Sequence, residues 1–166
     1  MKKVFLFLSI IVFSLVTRAQ KDDHTLTFDG IGELKLGLTK AQLEKMLNTR
    51  ILLKQIGLTE SFTETVKTMY KGIEFELDLM RNDNVVAALE GVSTTSPLFK
   101  TPEGIGVGSD QLTIINAYEK DLLIISYGSI TYTNINQIHA SIVFVMENKK
   151  VVKVIVEPTA MFRDRE

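Results

Sequence analysis

The chain contains no cysteine, which excludes disulfide bonds, a cysteine nucleophile and a lipid-modified N-terminal cysteine. It has only two histidines, His24 and His139, which lie far apart and form no His-x-x-x-His pattern. Protein metal sites draw on clustered Cys, His and carboxylate side chains. The sequence therefore predicts no metal site and no cofactor. Without disulfides, the stability of the fold must come from the burial of apolar side chains.

Long hydrophobic runs are also scarce, and the clearest one covers residues 4–16 at the N-terminus. It follows Lys2 and Lys3 and precedes Thr17-Arg18-Ala19, which is the three-part pattern of a secretory signal peptide. Its thirteen residues are fewer than the roughly 20 that a membrane-spanning helix needs. We expect cleavage after Ala19, a periplasmic or secreted mature protein, and no stable membrane insertion after cleavage.

Positive charge is in short supply once the signal peptide is removed. The remaining 147 residues carry 16 Lys and Arg against 20 Asp and Glu, which gives a formal charge of −4. Nucleic acids and anionic membranes attract basic surfaces, so the sequence predicts neither as a general partner. The many apolar residues favour a folded domain with its own core.

The first half of the mature chain has the pattern of a helix followed by an antiparallel meander. Apolar residues at helical spacing and a Thr39/Gln42 capping box predict a helix at residues 40–48. Residues 51–58 fit either a continuation of that helix or a short strand. Farther on, residues 62–70, 73–79 and 85–92 read as strands, with turns at 71–72 and 81–84.

The second half repeats this plan. Residues 107–118 align with residues 36–47 at an offset of 71, and Val151-Val152 aligns with Val85-Val86 at an offset of 66. A Gly-Ile-Gly triplet precedes the helix in both copies. We therefore predict an α+β fold of two tandem repeats, each a short helix followed by an antiparallel β-meander. The repeats span residues 20–97 and 98–166 and form one compact unit, with helices at about 40–48 and 110–120 packed on one sheet face.

The stretch TPEGIGVGSD, residues 101–110, admits two interpretations. A phosphate loop places backbone amides around an anion at a helix N-terminus. Here the Lys-Ser/Thr of a Walker loop is missing, the glycine spacing is G-x-G-x-G, and the stretch ends in Asp110. Its alignment with Gly37-Leu38-Thr39 favours a glycine turn followed by a helix cap at Ser109 or Asp110.

Three carboxylates form the first group of candidate functional residues. Glu74, Glu76 and Asp78 alternate with apolar residues, which places them about 6.5–7 Å apart on one face of a strand. This acidic stripe fits the solvated face of a half-buried strand, a surface for a basic partner, or the carboxylates of a hydrolase.

The second group is aromatic. Tyr127 and Tyr132, together with Tyr118, are either core residues or exposed anchors for a partner. Ser129 lies nearby, but the string Tyr127-Gly128-Ser129-Ile130-Thr131 does not match the G-x-S-x-G motif of a serine nucleophile.

Together, these features resemble a known group of exported proteins. The features are Gly37-Leu38-Thr39 opening a short helix, the meander after it, and a second copy that begins at residues 101–109. Over most of residues 30–158 they resemble proteins of the β-lactamase-inhibitor-like fold, and they are similar to the outer-membrane assembly lipoproteins of the SmpA/OmlA type. The resemblance implies a non-enzymatic, exported module that binds other proteins through a sheet face and loops.

The sequence thus favours a protein-binding module that acts as an inhibitor, an immunity factor or an envelope accessory. Its partner would be another exported or envelope protein. The candidate contact residues are Glu74, Glu76, Asp78, Tyr127 and Tyr132. Two alternatives stay open: a small-ligand carrier that uses the space between helix and sheet, and a carboxylate-dependent hydrolase.

Overall fold

The computed structural model describes residues 24–52, 62–82, 85–126, 128–133 and 139–159, which form an α+β fold. The α+β class predicted from the sequence is confirmed. Strands β1 (Leu26–Thr27), β2 (Gly30–Ile31) and β3 (Leu34–Lys35) form a small antiparallel sheet. The predicted signal peptide and most of the ambiguous segment 51–58 lie outside the described residues.

Seven further strands form one large antiparallel sheet in the order β4-β5-β6-β10-β9-β8-β7. Their bounds are β4 (Phe62–Tyr70), β5 (Ile73–Asn82), β6 (Val85–Thr94), β7 (Leu122–Ser126), β8 (Ser129–Thr133), β9 (Ala140–Glu147) and β10 (Lys150–Pro158). The predicted turn at residues 81–84 is too long, because the ladder between β5 and β6 continues to the end of β5.

Both helices begin where the sequence places their caps. Helix α1 (Lys40–Leu47) has the predicted capping box, in which Thr39 Oγ1 accepts from the Gln42 amide and Gln42 Oε1 accepts from the Thr39 amide. Helix α2 (Gln111–Ala117) is capped by Asp110, which accepts from the Thr113 amide at 3.0 Å. Helix α2 is shorter than the predicted 110–120 because Tyr118 leaves the helical conformation and ends it.

The core lies against one face of the large sheet, which we call the inner face. Phe75, Leu77 and Leu79 of β5 lie on this inner face and are buried in the core. The alternation in this strand therefore separates buried apolar residues from acidic ones. Ile142 and Phe144 do the same on β9. Buried residues of the helices and of the small sheet belong to the same core cluster, namely Leu26, Ile31, Leu34, Leu43, Leu47 and Ile114.

A short seam between β6 and β10 joins the two halves of the large sheet. It consists of the pairs Val92 with Val156, Ser93 with Ile155, and Thr94 with Val154. Each of the two strands also contains a β-bulge close to the seam. Glu90 is the extra residue in β6 and Val152 the extra residue in β10.

The residue before each bulge bonds to the turn that leads into a helix. Leu89 accepts from the Gly37 amide at 2.8 Å and donates to the Leu38 carbonyl at 2.9 Å. Val151 accepts from the Gly108 amide and donates to the Ser109 carbonyl, both at 2.9 Å. The same pair of hydrogen bonds therefore fixes the start of both helices to the large sheet.

Candidate functional site

The face of the large sheet opposite the core, which we call the open face, presents the side chains that alternate with the buried ones. It is divided into two halves of different chemistry. Its charged half, on β4 and β5, includes Lys67, Glu74, Glu76 and Asp78. Its other half, which we call the apolar half, has Val143, Val145 and Ile155 at its centre on β9 and β10, with Lys153 and Glu157 of β10 on the same face.

Glu76 is the electrostatic centre of the charged half. Lys67 Nζ lies 3.1 Å from the Glu76 carboxylate, and Lys153 of β10 forms a second ion pair with it from the other side. The hydrogen bonds from Lys153 and Lys67 lower the pKa of Glu76 to about 2. The hydrogen bond to Glu76 in turn raises the pKa of Lys67. At this position the acidic stripe is therefore an ion-pair network in which two lysines offset the carboxylate charge.

The other two carboxylates of the stripe have different surroundings. Asp78 Oδ1 accepts a hydrogen bond from the Thr65 hydroxyl at 2.6 Å. Its side chain lies over Gly91, where a Cβ would come within 2.8 Å of Asp78 Oδ2. Glu74 is exposed and lies opposite Met69 of β4. The three carboxylates thus share one face, as the sequence predicts, but only Glu74 is exposed, and Glu76 and Asp78 are half-buried.

The apolar half extends toward the edge of the sheet. Val143 of β9 lies between Ile155 of β10 and Thr131 of β8 in the strand register. The same row ends at Ile124 of β7, whose side chain is 48% exposed. Val143 and Ile155 are half-buried and lie directly opposite one another, so they form a small apolar surface on the open face.

The predicted aromatic anchors differ from expectation. Tyr132 is only 7% exposed, and its ring stacks on Tyr118 with centroids 3.9 Å apart. The Tyr118 hydroxyl lies 2.6 Å from Thr101 Oγ1 and 3.0 Å from a Glu103 carboxylate oxygen, and burial raises its pKa. Tyr118 and Tyr132 are therefore core residues and not exposed anchors. Tyr127 lies outside the described residues.

The backbone amides of the glycine-rich stretch 101–110 donate hydrogen bonds to acceptors within the protein. Gly104 donates to the Thr101 carbonyl, Gly106 to Ser109 Oγ, and Gly108 to the Val151 carbonyl. The Ser109 amide donates to the Gly106 carbonyl at 3.0 Å. Amides that already have protein acceptors do not converge on an anion, so this geometry matches a glycine turn and helix cap.

Two cavities lie between the small sheet, the large sheet and residues 98–103. The first, which we call the turn cavity, has a volume of about 340 Å³ and an apolar lining that includes Ile31, Phe75 and Phe99. Its polar lining contains Glu33, which bonds to the Tyr70 hydroxyl and forms an ion pair with Lys71 at 3.2 Å.

The second cavity, which we call the stack cavity, has a volume of about 320 Å³ and lies beside the Tyr118–Tyr132 stack. Its lining includes two aromatic and two acidic side chains, from Phe28, Tyr132, Asp29 and Glu103. Thr27 also lines it, and the buried Thr27 Oγ1 has no hydrogen-bond partner among the described residues. Neither cavity is lined by α1 or α2, so both lie elsewhere than the predicted space between helix and sheet.

The described residues contain no group of three or more His, Asp or Glu side chains arranged to hold a metal ion. Ser129 lies at the end of the β7–β8 hairpin, where its Oγ is 2.8 Å from Ser126 Oγ. The rings of His24 and Phe99 form a T-shaped pair with their centroids 5.5 Å apart. Within the described part of the chain, no helix combines the length and the apolar character needed to cross a membrane.

Comparisons with known proteins add little to this picture. No protein-family profile and no curated protein matches the chain. The crystal structure of the uncharacterized protein yfeY from Escherichia coli is similar to it at 12% sequence identity and a TM-score of 0.38. That likeness covers 80% of this chain and 99% of the other. Similarity at this level carries no argument about family or function.

Proposed function

We propose that this chain is an exported, non-enzymatic module that binds another exported or envelope protein through the open face of its large sheet. The observation that carries the proposal is the division of that face into a charged half around Glu76 and an apolar half around Val143. Protein interfaces combine an apolar centre with a polar rim, and both chemistries are present here side by side.

We further propose that the fold consists of two related units, each a helix followed by a meander, with both helices on the inner face. The matching hydrogen bonds of Leu89 and Val151 support this, as do the bulges that follow them. One offset of 62 residues relates Leu89 to Val151, Glu90 to Val152 and Ser93 to Ile155. This offset replaces the 66 expected from Val85-Val86 for the last strand.

The register of the seam supports the same proposal. With the 62-residue offset, Ser93 pairs with its own equivalent, Ile155. Val92 pairs with Val156, which is the equivalent of Thr94, and Thr94 pairs with Val154, which is the equivalent of Val92. A two-fold axis through this pair would relate the units. Contacts also cross between them: Phe28 packs on Tyr132 of β8, and Phe99 packs on Phe75 of β5.

Two substitutions on the open face test the binding proposal. Val143→Arg places a charge in the apolar half, and Lys67→Glu reverses a charge in the charged half. We expect both to reduce capture of the partner by the tagged mature protein from envelope and secreted fractions, as measured by quantitative mass spectrometry. Leu112→Arg is the matched control, because Leu112 is exposed on α2, a helix whose buried Ile114 belongs to the core on the other side of the sheet.

Far-UV circular dichroism establishes that each variant is folded before the capture is compared. Capture that is equal for the wild type, both open-face variants and Leu112→Arg would contradict the proposal. Hydrolysis of an envelope substrate by the purified protein, abolished by changing Glu74, Glu76 and Asp78 to alanine, would replace it with the hydrolase alternative.

The stack cavity supports a second candidate function, that of a small-ligand carrier. Its lining pairs aromatic rings with the carboxylates of Asp29 and Glu103, and none of the described residues that line it is Lys or Arg, so it suits a small organic cation. A ligand of the folded state raises the melting temperature by mass action. We expect such a rise with a quaternary ammonium compound under this second candidate, reduced in Glu103→Gln. No shift with any small cation would argue against it.

A further inference from the structure

We propose that two copies of this chain associate by antiparallel pairing of their β7 strands, which joins two seven-stranded sheets into one. Strand β7 (Leu122–Ser126) lies at the edge of the large sheet and pairs with β8 on one side. No strand in the described part of the chain pairs with its other side. On its outer side, an edge strand presents backbone N–H and C=O groups that can pair with another strand. A second strand edge supplies both the donors and the acceptors for this pairing.

The residues of β7 are mostly apolar, as is typical of a strand in the interior of a sheet. Ile124 and Ile125 point to opposite faces of the sheet, and they are 48% and 54% exposed. The whole strand, LLIIS, contains no charged residue and no proline. Natural edge strands are usually protected by charges, prolines or bulges, and β7 has none of these within its five residues.

The opposite edge of the same sheet provides a direct comparison. Strand β4 presents Lys67, Glu64 and several threonines, of which Thr63 and Thr65 are exposed. Its charges would have to be desolvated if another strand paired with it. The two edges of one sheet therefore differ in the feature that controls edge-to-edge association, and only β7 lacks protection.

A second copy fits this edge because β7 is complementary to itself. In an antiparallel pair with a two-fold axis at Ile124, each Ile124 faces its equivalent, and Leu123 faces Ile125 of the other copy. Every side chain brought together by residues 123–125 is apolar, so no charge is buried on either side. On the open face, the row formed by Ile155, Val143, Thr131 and Ile124 would continue into the same row of the second copy.

The two-fold operation also limits the assembly to a dimer. An isologous contact uses the same edge of both copies and leaves nothing free to add a third. The other end of the joined sheet is the protected β4 strand of each copy.

Sedimentation equilibrium of the mature protein over a concentration series tests this proposal. We expect a monomer–dimer equilibrium, and we expect Ile125→Lys to raise the dissociation constant about tenfold or more, because each of the two paired strands then carries a lysine that must be partly desolvated. Thr65→Lys, on the exposed edge strand β4, is the matched control and should leave the equilibrium unchanged. Capture of a different partner through the open face is measured separately with Val143→Arg, so the failure of either proposal leaves the other intact.

Cysteine crosslinking tests the register without relying on a destabilising charge. Because the natural chain has no cysteine, Ile124→Cys introduces a single thiol. Directly paired residues of antiparallel strands have Cα atoms about 4.5–5.5 Å apart, which is within the range of a disulfide. We expect Ile124→Cys to form a disulfide-linked dimer on mild oxidation and Thr65→Cys to form little.

Three results would each overturn the proposal. They are a monomer at every concentration with no more crosslinking from Ile124→Cys than from Thr65→Cys, a dimer that persists in Ile125→Lys, and growth beyond the dimer.

Discussion

At Glu76, lysines from two different strands meet on one carboxylate. Lys67 lies on the neighbouring strand β4, whereas Lys153 comes from β10 and is 77 residues away along the chain. The Glu76 side chain keeps a quarter of its surface exposed, so solvent weakens these ion pairs. The network still links the two halves of the large sheet across the seam.

Replacing Glu76 by glutamine tests this network. The pKa of Glu76 falls from 4.5 to about 2 on folding, so its stabilising contribution is fully present above pH 4.5 and is lost as the pH falls toward 2. We expect Glu76→Gln to lower the free energy of unfolding by about 1 kcal/mol at pH 7, after allowance for solvent screening, with the difference disappearing near pH 2. Urea unfolding followed by circular dichroism at both pH values measures it.

The control for this prediction is Glu74→Gln, which removes an exposed carboxylate two residues away on the same face. A difference between Glu76→Gln and the wild type that is the same at pH 7 and near pH 2 would show that the ion pairs are not its cause.

At the scale of single elements, the caps decide where the helices begin. Helix α1 has only eight residues, and short helices depend on tertiary packing and on satisfied terminal amides. The side chains of Thr39 and Gln42 each accept a hydrogen bond from the backbone amide of the other residue. Leu43 and Leu47 on the inner side of the helix are buried in the core.

We expect Thr39→Ala to lower the free energy of unfolding by about 1 kcal/mol, since it removes the side-chain oxygen that accepts from the first turn. Thr39→Ser keeps a hydroxyl and should retain most of the stability. Denaturant unfolding of the two variants measures both effects. Equal losses in Thr39→Ala and Thr39→Ser would assign the effect to the lost methyl group instead of the cap.

The elements that the sequence predicts well are those whose signal is local. The capping box lies within four residues, and the strict alternation of β5 is complete within seven, so both are visible without any long-range contact. Strands β7 and β8 were not predicted, because the run Leu122-Leu123-Ile124-Ile125 has no alternation to separate strand from helix. The bulges at Glu90 and Val152 depend on the partner strands and have no local signature.

In the candidate site, too, the features with a local sequence signal could be predicted and those that depend on distant residues could not. The common face of Glu74, Glu76 and Asp78 follows from the two-residue period of a strand and was predictable. The ion pair with Lys153 and the burial of Tyr132 were not predictable, because each depends on contact with a residue from a distant part of the chain. Only the folded arrangement shows that a tyrosine predicted as a possible contact is packed between Phe28 and Tyr118.

At the scale of the whole molecule, the two halves share one core. Phe99 from the second half packs on Phe75, and Phe28 from the first packs on Tyr132. The last strands of the two halves also pair with one another through the three residue pairs of the seam. A separated half would expose these apolar surfaces and the edge of its last strand.

We therefore expect the mature protein to unfold in one cooperative transition, with a calorimetric enthalpy close to the van't Hoff enthalpy in differential scanning calorimetry. A fragment of residues 20–97 expressed alone should show no cooperative melting. Adding the fragment of residues 98–166 should restore strand signal in circular dichroism. Two resolved transitions, or independent melting of either fragment, would contradict a shared core.

The seam has a further consequence for the number of partners bound. Under the two-fold relation proposed for the two units, it has the geometry of a contact between identical chains, but both sides lie on one polypeptide and are free to carry different residues. Ser93 lies beside the Glu76–Lys153 ion pair, whereas its counterpart Ile155 lies in the apolar half. A symmetric pair of identical units would offer the same surface twice. The proposed pair of related units offers a charged surface once and an apolar surface once, so we expect each molecule to bind a single partner across the open face, with a stoichiometry of one to one.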